Sequence, residues 1–86
     1  MSDRIDNLFK IKRLTFNWTT SDNKMNITAE DIDGYNFFCW LHINSVGTIC
    51  LVYTDNILTK NTVVYTDSGV NMNGRAIFCF ALYIKK

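Results

Sequence analysis

The chain has 86 residues, of which 48% are hydrophobic and 20% charged, and its formal net charge is +1. A chain of this length and apolar content indicates one small folded domain instead of a disordered segment. The near-neutral charge gives no electrostatic reason to expect nucleic acid as a partner. Apolar stretches stay far below the roughly 18 residues of a membrane helix, so we expect no membrane insertion.

The composition favours β structure, because aromatic residues make up 14% of the chain and proline is absent. Clusters of Asn, Asp, Ser and Gly recur at roughly ten-residue intervals, a spacing typical of a β-sandwich or barrel. We predict an all-β fold, a small antiparallel β-sandwich of about six to eight strands. This single domain spans residues 10–86, after an N-terminal stub at residues 1–9 that contains a short helical turn.

The first strand is expected at residues 10–20, where Leu14, Phe16 and Trp18 alternate with polar residues. Upstream, Phe9 and Ile11 have the opposite parity, which predicts a bulge or bend near Lys12 and Arg13. Later strands are predicted in apolar or alternating segments, namely 25–29, 35–43, 49–53, 62–65 and 76–84. Gly34 is expected to turn the chain before residue 35 with a positive φ.

Two of these strands are apolar on both faces. Strict alternation in segment 35–43 places Tyr35, Phe37, Cys39, Leu41 and Ile43 on one face and Phe38, Trp40 and His42 on the other. In segment 76–84, one face carries Ile77, Cys79, Ala81 and Tyr83, and the opposite face carries Ala76, Phe78, Phe80, Leu82 and Ile84. A sheet in a two-layer sandwich has one buried and one solvated face, so the second apolar face needs a cover.

We predict that copies of the same chain supply this cover, in a closed homo-oligomer. The expected interface residues are those of the second face, namely Phe38, Trp40, His42, Phe78, Phe80 and Leu82. The alternative is a curled sheet or small barrel that covers both faces, or burial under residues 1–9.

Catalysis has little support in the sequence. His42 with Cys39 or Cys50 is the one conceivable nucleophilic pair, but these residues lie among apolar neighbours, so we expect structural thiols and no enzyme. Three cysteines favour reduced thiols, with a Cys39–Cys79 disulfide as the alternative. The acidic residues at 30, 31 and 33 do not match a calcium loop. A solvated turn is therefore expected there, without metal or cofactor.

A binding surface remains for the loops 44–48, 54–60 and 66–74, which are rich in Asn, Asp, Ser and Thr. Tyr53 and Tyr65 add a candidate aromatic platform beside them. The candidate binding residues are Tyr53, Asp55, Asn56, Tyr65, Asp67, Asn71 and Asn73. The alternative interpretation is that these loops are ordinary turns.

A Trp-containing strand is followed by Ile27-Thr28-Ala29-Glu30-Asp31-Ile32-Asp33-Gly34-Tyr35, and the sequence ends with Ala81-Leu82-Tyr83-Ile84-Lys85-Lys86. In this order of elements the chain resembles a known family. It is similar to the small C-terminal β-sandwich modules of tailed-bacteriophage and prophage structural proteins, such as tail fibre and baseplate proteins. The resemblance spans roughly residues 14–86 and implies a jelly-roll-like β-sandwich that forms a homotrimer. It further implies synthesis in the bacterial cytoplasm, a place in the virion, and a structural role or recognition of a host-surface glycan or protein.

A second hypothesis belongs to another class of function. A small β-rich protein without disulfides is also typical of intracellular, phage-encoded proteins that bind and inhibit a host protein. Such an inhibitor more often has one strongly charged face, which the net charge of +1 does not favour.

Overall fold

A computed structural model of the chain describes residues 8–45, 52–67 and 69–86. Its elements are six strands: β1 (Phe9–Asn17), β2 (Lys24–Thr28), β3 (Tyr35–Ser45), β4 (Tyr53–Thr54), β5 (Asn61–Tyr65) and β6 (Ala76–Lys85). Most of the helical turn predicted at residues 3–9 lies outside the described residues, and Phe9 is already part of β1. Residues 49–51 of a predicted strand also lie outside them.

The six strands form two three-stranded antiparallel sheets. Sheet A has the order β1-β6-β3, and sheet B has the order β2-β5-β4. The prediction of a small all-β sandwich is therefore confirmed. The last strand, β6, is the centre of sheet A and joins the two ends of the described chain in one sheet.

The core lies between the sheets and is built from one side of each. Sheet A contributes the inner residues of β6, and sheet B contributes Met25, Ile27 and Val64. Both tryptophans are 1–2% exposed, and each satisfies its indole N–H within the chain. Trp18 donates to the Asp22 backbone oxygen at 3.1 Å, and Trp40 donates to the Thr59 backbone oxygen at 2.9 Å.

Strand β6 follows the alternation predicted for it. Its inner residues, at most 1% exposed, are Ile77, Cys79, Ala81 and Tyr83. The residues between them are half-buried on the outer side, namely Ala76, Phe78, Phe80, Leu82 and Ile84. Strict alternation holds here because β6 has a partner strand on each side and no bulge of its own.

Strand β3 departs from the predicted alternation because it contains two irregularities. Its register against β6 shifts between Phe37 and Cys39 and again between Trp40 and His42. Each shift inserts one residue and reverses the parity that follows. Trp40 therefore points into the core, and Leu41 is 49% exposed, so the predicted division into two faces was wrong for these two residues. Phe37 and His42 lie on the sides that were predicted for them.

Strand β1 departs from the prediction in the opposite way, because it is regular where an irregularity was predicted. Its pairing with β6 runs without a register shift from Phe9 opposite Ile84 to Asn17 opposite Ala76, so the bulge predicted near Lys12 is absent. The change of parity in the sequence arises because a polar residue takes an inner position: Lys12 pairs with the buried Ala81, and its ammonium group lies 3.9 Å from the Glu30 carboxylate. Phe9 and Ile11 consequently lie on the outer side of sheet A.

The turn before β3 forms as predicted. Gly34 has a φ of 85°, and the Tyr35 N–H donates to the Ile32 carbonyl at 3.0 Å. In the described part of the chain, no helix is long and apolar enough to cross a membrane.

Candidate functional surfaces

The outer side of sheet A is a continuous apolar surface, which we call the apolar face. The cross-strand register places six large apolar residues on it, namely Phe9, Ile11, Phe78, Phe80, Leu82 and Ile84. Phe9 is 45% exposed and Ile11 60%. Phe38, 49% exposed at the first irregularity of β3, borders this surface. The sequence prediction of a second apolar side is thus confirmed for β6 and extends onto β1.

Aromatic and cationic side chains meet at the centre of the apolar face. The rings of Phe78 and Phe80 lie edge to face at 5.9 Å, and the His42 ring is 5.7 Å from Phe78. The Arg13 guanidinium carbon lies 4.9 Å from the Phe78 ring centroid, a cation–π arrangement. Arg13 and His42 both pair in register with Phe80, so the three form a row across the sheet.

Five of the six residues predicted for an oligomer interface lie on or beside the apolar face. Trp40 is the exception and requires a correction, because it is 2% exposed within a single chain. The reason is the first irregularity of β3, which turns its indole toward the core, where it packs on Phe16 and Phe37. No neighbouring subunit is needed to bury it.

The outer side of sheet B brings four of the predicted binding residues together. Tyr53 and Tyr65 are cross-strand partners, and their rings stack with centroids 6.3 Å apart and planes 22° apart. The Tyr65 hydroxyl donates to Asp55 Oδ2 at 2.7 Å, and the Tyr53 hydroxyl donates to Asp67 Oδ1 at 3.3 Å. We call these two tyrosines and two aspartates the tyrosine platform.

The aspartates of the tyrosine platform change the chemistry of its phenols. The hydrogen bond to Asp55 is the largest cause that raises the pKa of Tyr65, followed by partial burial. Desolvation and then the Asp67 charge raise the pKa of Tyr53. Both phenols therefore stay protonated and keep donating to the carboxylates at neutral pH.

The remaining predicted binding residues shape their own loops instead of joining the platform. Asn56 Oδ1 accepts the Leu58 N–H at 2.9 Å, and Asn71 Oδ1 accepts the Asn73 N–H at 3.0 Å. These are Asx turns, which is the ordinary use of asparagine in loops. Asn73 itself is exposed.

Asn23, which no sequence pattern singled out, holds the loop that carries Asp67. Its side-chain amide donates to the backbone oxygens of Asp67 and Val70, and its backbone oxygen accepts the Thr66 N–H at 2.8 Å. These contacts join residues more than 40 positions apart. The only signal in the sequence was membership of the turn cluster Ser21-Asp22-Asn23, which gives no long-range partner.

The thiols of the described residues are separate from one another. Cys39 and Cys79 are both free and buried. They lie at different positions along sheet A, because Cys39 pairs with Leu82 and Cys79 pairs with Ile43. The alternative of a disulfide between them is therefore wrong. Burial raises the pKa of the Cys79 thiol to about 12, and Cys50 lies outside the described residues.

The acidic turn before β3 lines an open cleft of about 870 Å³ at one end of the sandwich. Lys60 forms an ion pair with Asp31 there, and this neighbouring charge lowers the pKa of the Asp31 carboxyl through a hydrogen bond and Coulomb attraction. In residues 8–45, 52–67 and 69–86, no three His, Cys, Asp or Glu side chains are grouped to hold a metal ion.

Comparison with known proteins finds no matching family model, no matching curated protein and no matching solved structure.

Proposed function

We propose that this chain is a non-enzymatic structural module of a tailed-phage or prophage virion, built to self-associate through the apolar face. The observation that supports this proposal is the set of large apolar side chains on the outer side of sheet A. A homotrimer is the state that the resemblance implies. The other side of the sandwich then faces outward and serves recognition of the host surface.

The apolar face supports self-association through its size and composition. Its six large apolar residues come from two neighbouring strands, and the most exposed of them, Ile11, is 60% accessible. Burial of a large apolar side chain contributes about 1.5–3 kcal/mol when it is complete. Contiguous apolar surfaces of this kind are typical of interaction sites.

The charge of Arg13 on the outer side of sheet A is compatible with a subunit interface. Arg13 lies over the Phe78 ring, where the ring quadrupole offsets part of the cost of removing the guanidinium from water. Arginine and aromatic residues are the types that are enriched at protein interfaces. The apolar face therefore combines the residue types that subunit contacts use.

The recognition part of the proposal rests on the geometry of a sandwich. The outer sides of sheets A and B point in opposite directions, because the core lies between the sheets. An assembly through the apolar face leaves the tyrosine platform accessible. Its loops come from the segments 54–60 and 66–74, where the sequence predicted a binding surface.

A matched pair of lysine substitutions tests the proposal. Ile11→Lys places a charge on the apolar face at an exposed position, and Asn26→Lys places the same charge at an exposed position of sheet B. We expect Ile11→Lys to lower the molar mass in sedimentation velocity, whereas Asn26→Lys keeps the wild-type mass. Equal masses for both variants would contradict assembly through the apolar face.

The apolar face also supports a second candidate, an intracellular inhibitor that covers a host protein with it. In that case the purified chain is monomeric, and it retains one soluble bacterial protein on co-purification. Binding to intact cell walls, without such a protein, supports the virion module instead.

A further inference from the structure

We propose that the tyrosine platform binds an organic cation, namely the guanidinium or alkylammonium group of a side chain or headgroup. This inference rests on the recognition part of the proposed function and gives that site its ligand chemistry. It is independent of how copies of the chain assemble, because the platform lies on sheet B.

The aromatic rings of the tyrosine platform are accessible to a ligand. Tyr53 is 49% exposed, and its strand β4 is at the edge of sheet B, so no other strand of the described residues lies beyond it. Tyr65 supports it from the neighbouring strand in the stacked pair. Exposed tyrosine rings held in place by a neighbour attract cations through the negative potential of their faces.

The two carboxylates of the tyrosine platform place negative charge beside the rings. Asp55 and Asp67 each accept a phenol proton through one oxygen, which leaves the other oxygen of each carboxylate for a ligand. The ion pairs of the described residues, Lys12–Glu30 and Lys60–Asp31, use neither of them. Two negative charges therefore flank the tyrosine rings without a basic partner in the described part of the chain.

The position of Lys24 sets the side from which a cation approaches. Lys24 pairs in register with Tyr65, on the side of β5 that faces β2. Like charges repel, so this side is unfavourable for a cation. Tyr53 lies on the other side of Tyr65, which makes the open edge at β4 the favourable approach.

A neutral sugar is the competing ligand, because aromatic rings and carboxylates also bind carbohydrates. The charges decide between the two. A neutral glycan gains only hydrogen bonds from the aspartates, whereas a cation gains Coulomb attraction as well as the interaction with the rings. The arrangement of two aspartates without a basic partner therefore favours a cation.

The direct test is a titration of the intact chain, followed by the NMR signals of the tyrosine rings. The probes are tetramethylammonium chloride, arginine amide, the neutral analogue neopentyl alcohol and the neutral disaccharide lactose. We expect saturable shifts of the Tyr53 and Tyr65 signals with one or both cations and none with the neutral probes. The stronger cation identifies a headgroup or an arginine side chain as the source.

Substituted variants distinguish cation binding at the tyrosine platform from non-specific attraction of cations to carboxylates. Tyr53→Leu and the pair Asp55→Asn with Asp67→Asn should each weaken cation binding about three- to tenfold, the range of exposed cation–π and ion-pair interactions. Asp33→Asn, at an exposed position in the turn before β3, is the matched control and should change nothing.

Three results would overturn the inference: binding of the disaccharide without binding of either cation, equal binding of the neutral analogue, or no binding of any probe. The molar mass measured in parallel keeps the two proposals apart. A chain that assembles but binds no cation contradicts only this inference, whereas a monomer that binds a cation contradicts only the assembly.

Discussion

Trp40 is joined to the loop after β4 by two hydrogen bonds, from its indole nitrogen to the Thr59 oxygen at 2.9 Å and from its backbone nitrogen to the Ile57 oxygen at 2.8 Å. The irregular strand β3 of sheet A thus holds the segment that connects β4 and β5, two strands of sheet B. The side chain is 2% exposed and packs against Phe16 and Phe37.

We therefore expect Trp40→Ala to lower the free energy of unfolding by about 3–5 kcal/mol, as for other buried aromatic residues. The neighbouring Leu41 is 49% exposed, so Leu41→Ala should cost only about 0.5 kcal/mol. Urea unfolding at one protein concentration measures both variants. Similar losses would show that the two side chains are not divided between core and surface.

The contrast between β6 and β3 explains how far the sequence predicts this fold. Alternation predicted every inner residue of β6, because its pairing with β1 is regular and the extra residues at the two shifts against β3 belong to β3. The same rule placed Trp40 on the wrong side, because the irregularities of β3 depend on its pairing with β6 and leave no local sequence signal. Strand positions followed from turn residues, whereas register depended on tertiary contacts.

The candidate site was also predictable from the sequence only in part. Tyrosine and aspartate residues in polar loops suggested a platform, and four of the seven predicted residues do meet on sheet B. The stacking of Tyr53 on Tyr65 depends on the cross-strand register, which composition and spacing do not provide. The contribution of Asn23 depends on contacts with a distant loop.

A second prediction concerns the loop that carries Asp67. Asn23→Ala should cost about 1–3 kcal/mol, because it removes the side-chain donor that bonds two backbone oxygens of the Asp67 loop. Asp67→Ala should stay within about 0.5 kcal/mol, because its carboxylate is exposed and, among the described residues, bonds only the exposed Tyr53 hydroxyl. Thermal unfolding followed by circular dichroism compares the two. A larger loss for Asp67→Ala would contradict the assignment of Asn23 as the anchor.

A third prediction uses the buried Cys79 thiol, whose pKa is raised by burial from 9.0 to about 12. Because the folded state keeps this proton, the stabilisation that comes from the raised thiol pKa is complete below pH 9 and is lost as the pH rises from 9 to 12. The loss has a limit of about 1.4 kcal/mol per pH unit. Burial also raises the pKa of the Tyr83 phenol, which acts in the same direction.

Urea unfolding at pH 7 and pH 10 measures this effect, with Cys79→Ala as the comparison. We expect the wild type to lose more stability between the two pH values than the variant does. Equal losses would show that the thiol is not shielded from water. Maleimide labelling at pH 8 provides a second measurement, in which Cys79 should react only after the chain unfolds.

A fourth prediction separates the two sides of β6. Phe78→Asp places a charge on the apolar face, so it should dissociate the assembly while the circular dichroism spectrum of the folded chain is retained. Ile77→Asp places the same charge at a position with 0% exposure and should unfold the chain. Loss of the fold in both variants would place Phe78 in a core that a single chain completes.

The molar mass of the wild-type chain, measured by light scattering during size-exclusion chromatography at high micromolar concentration, tests self-association most directly. We expect a stable species with three times the 10.0 kDa mass of one chain. A single peak with the mass of one chain under these conditions would contradict assembly through the apolar face.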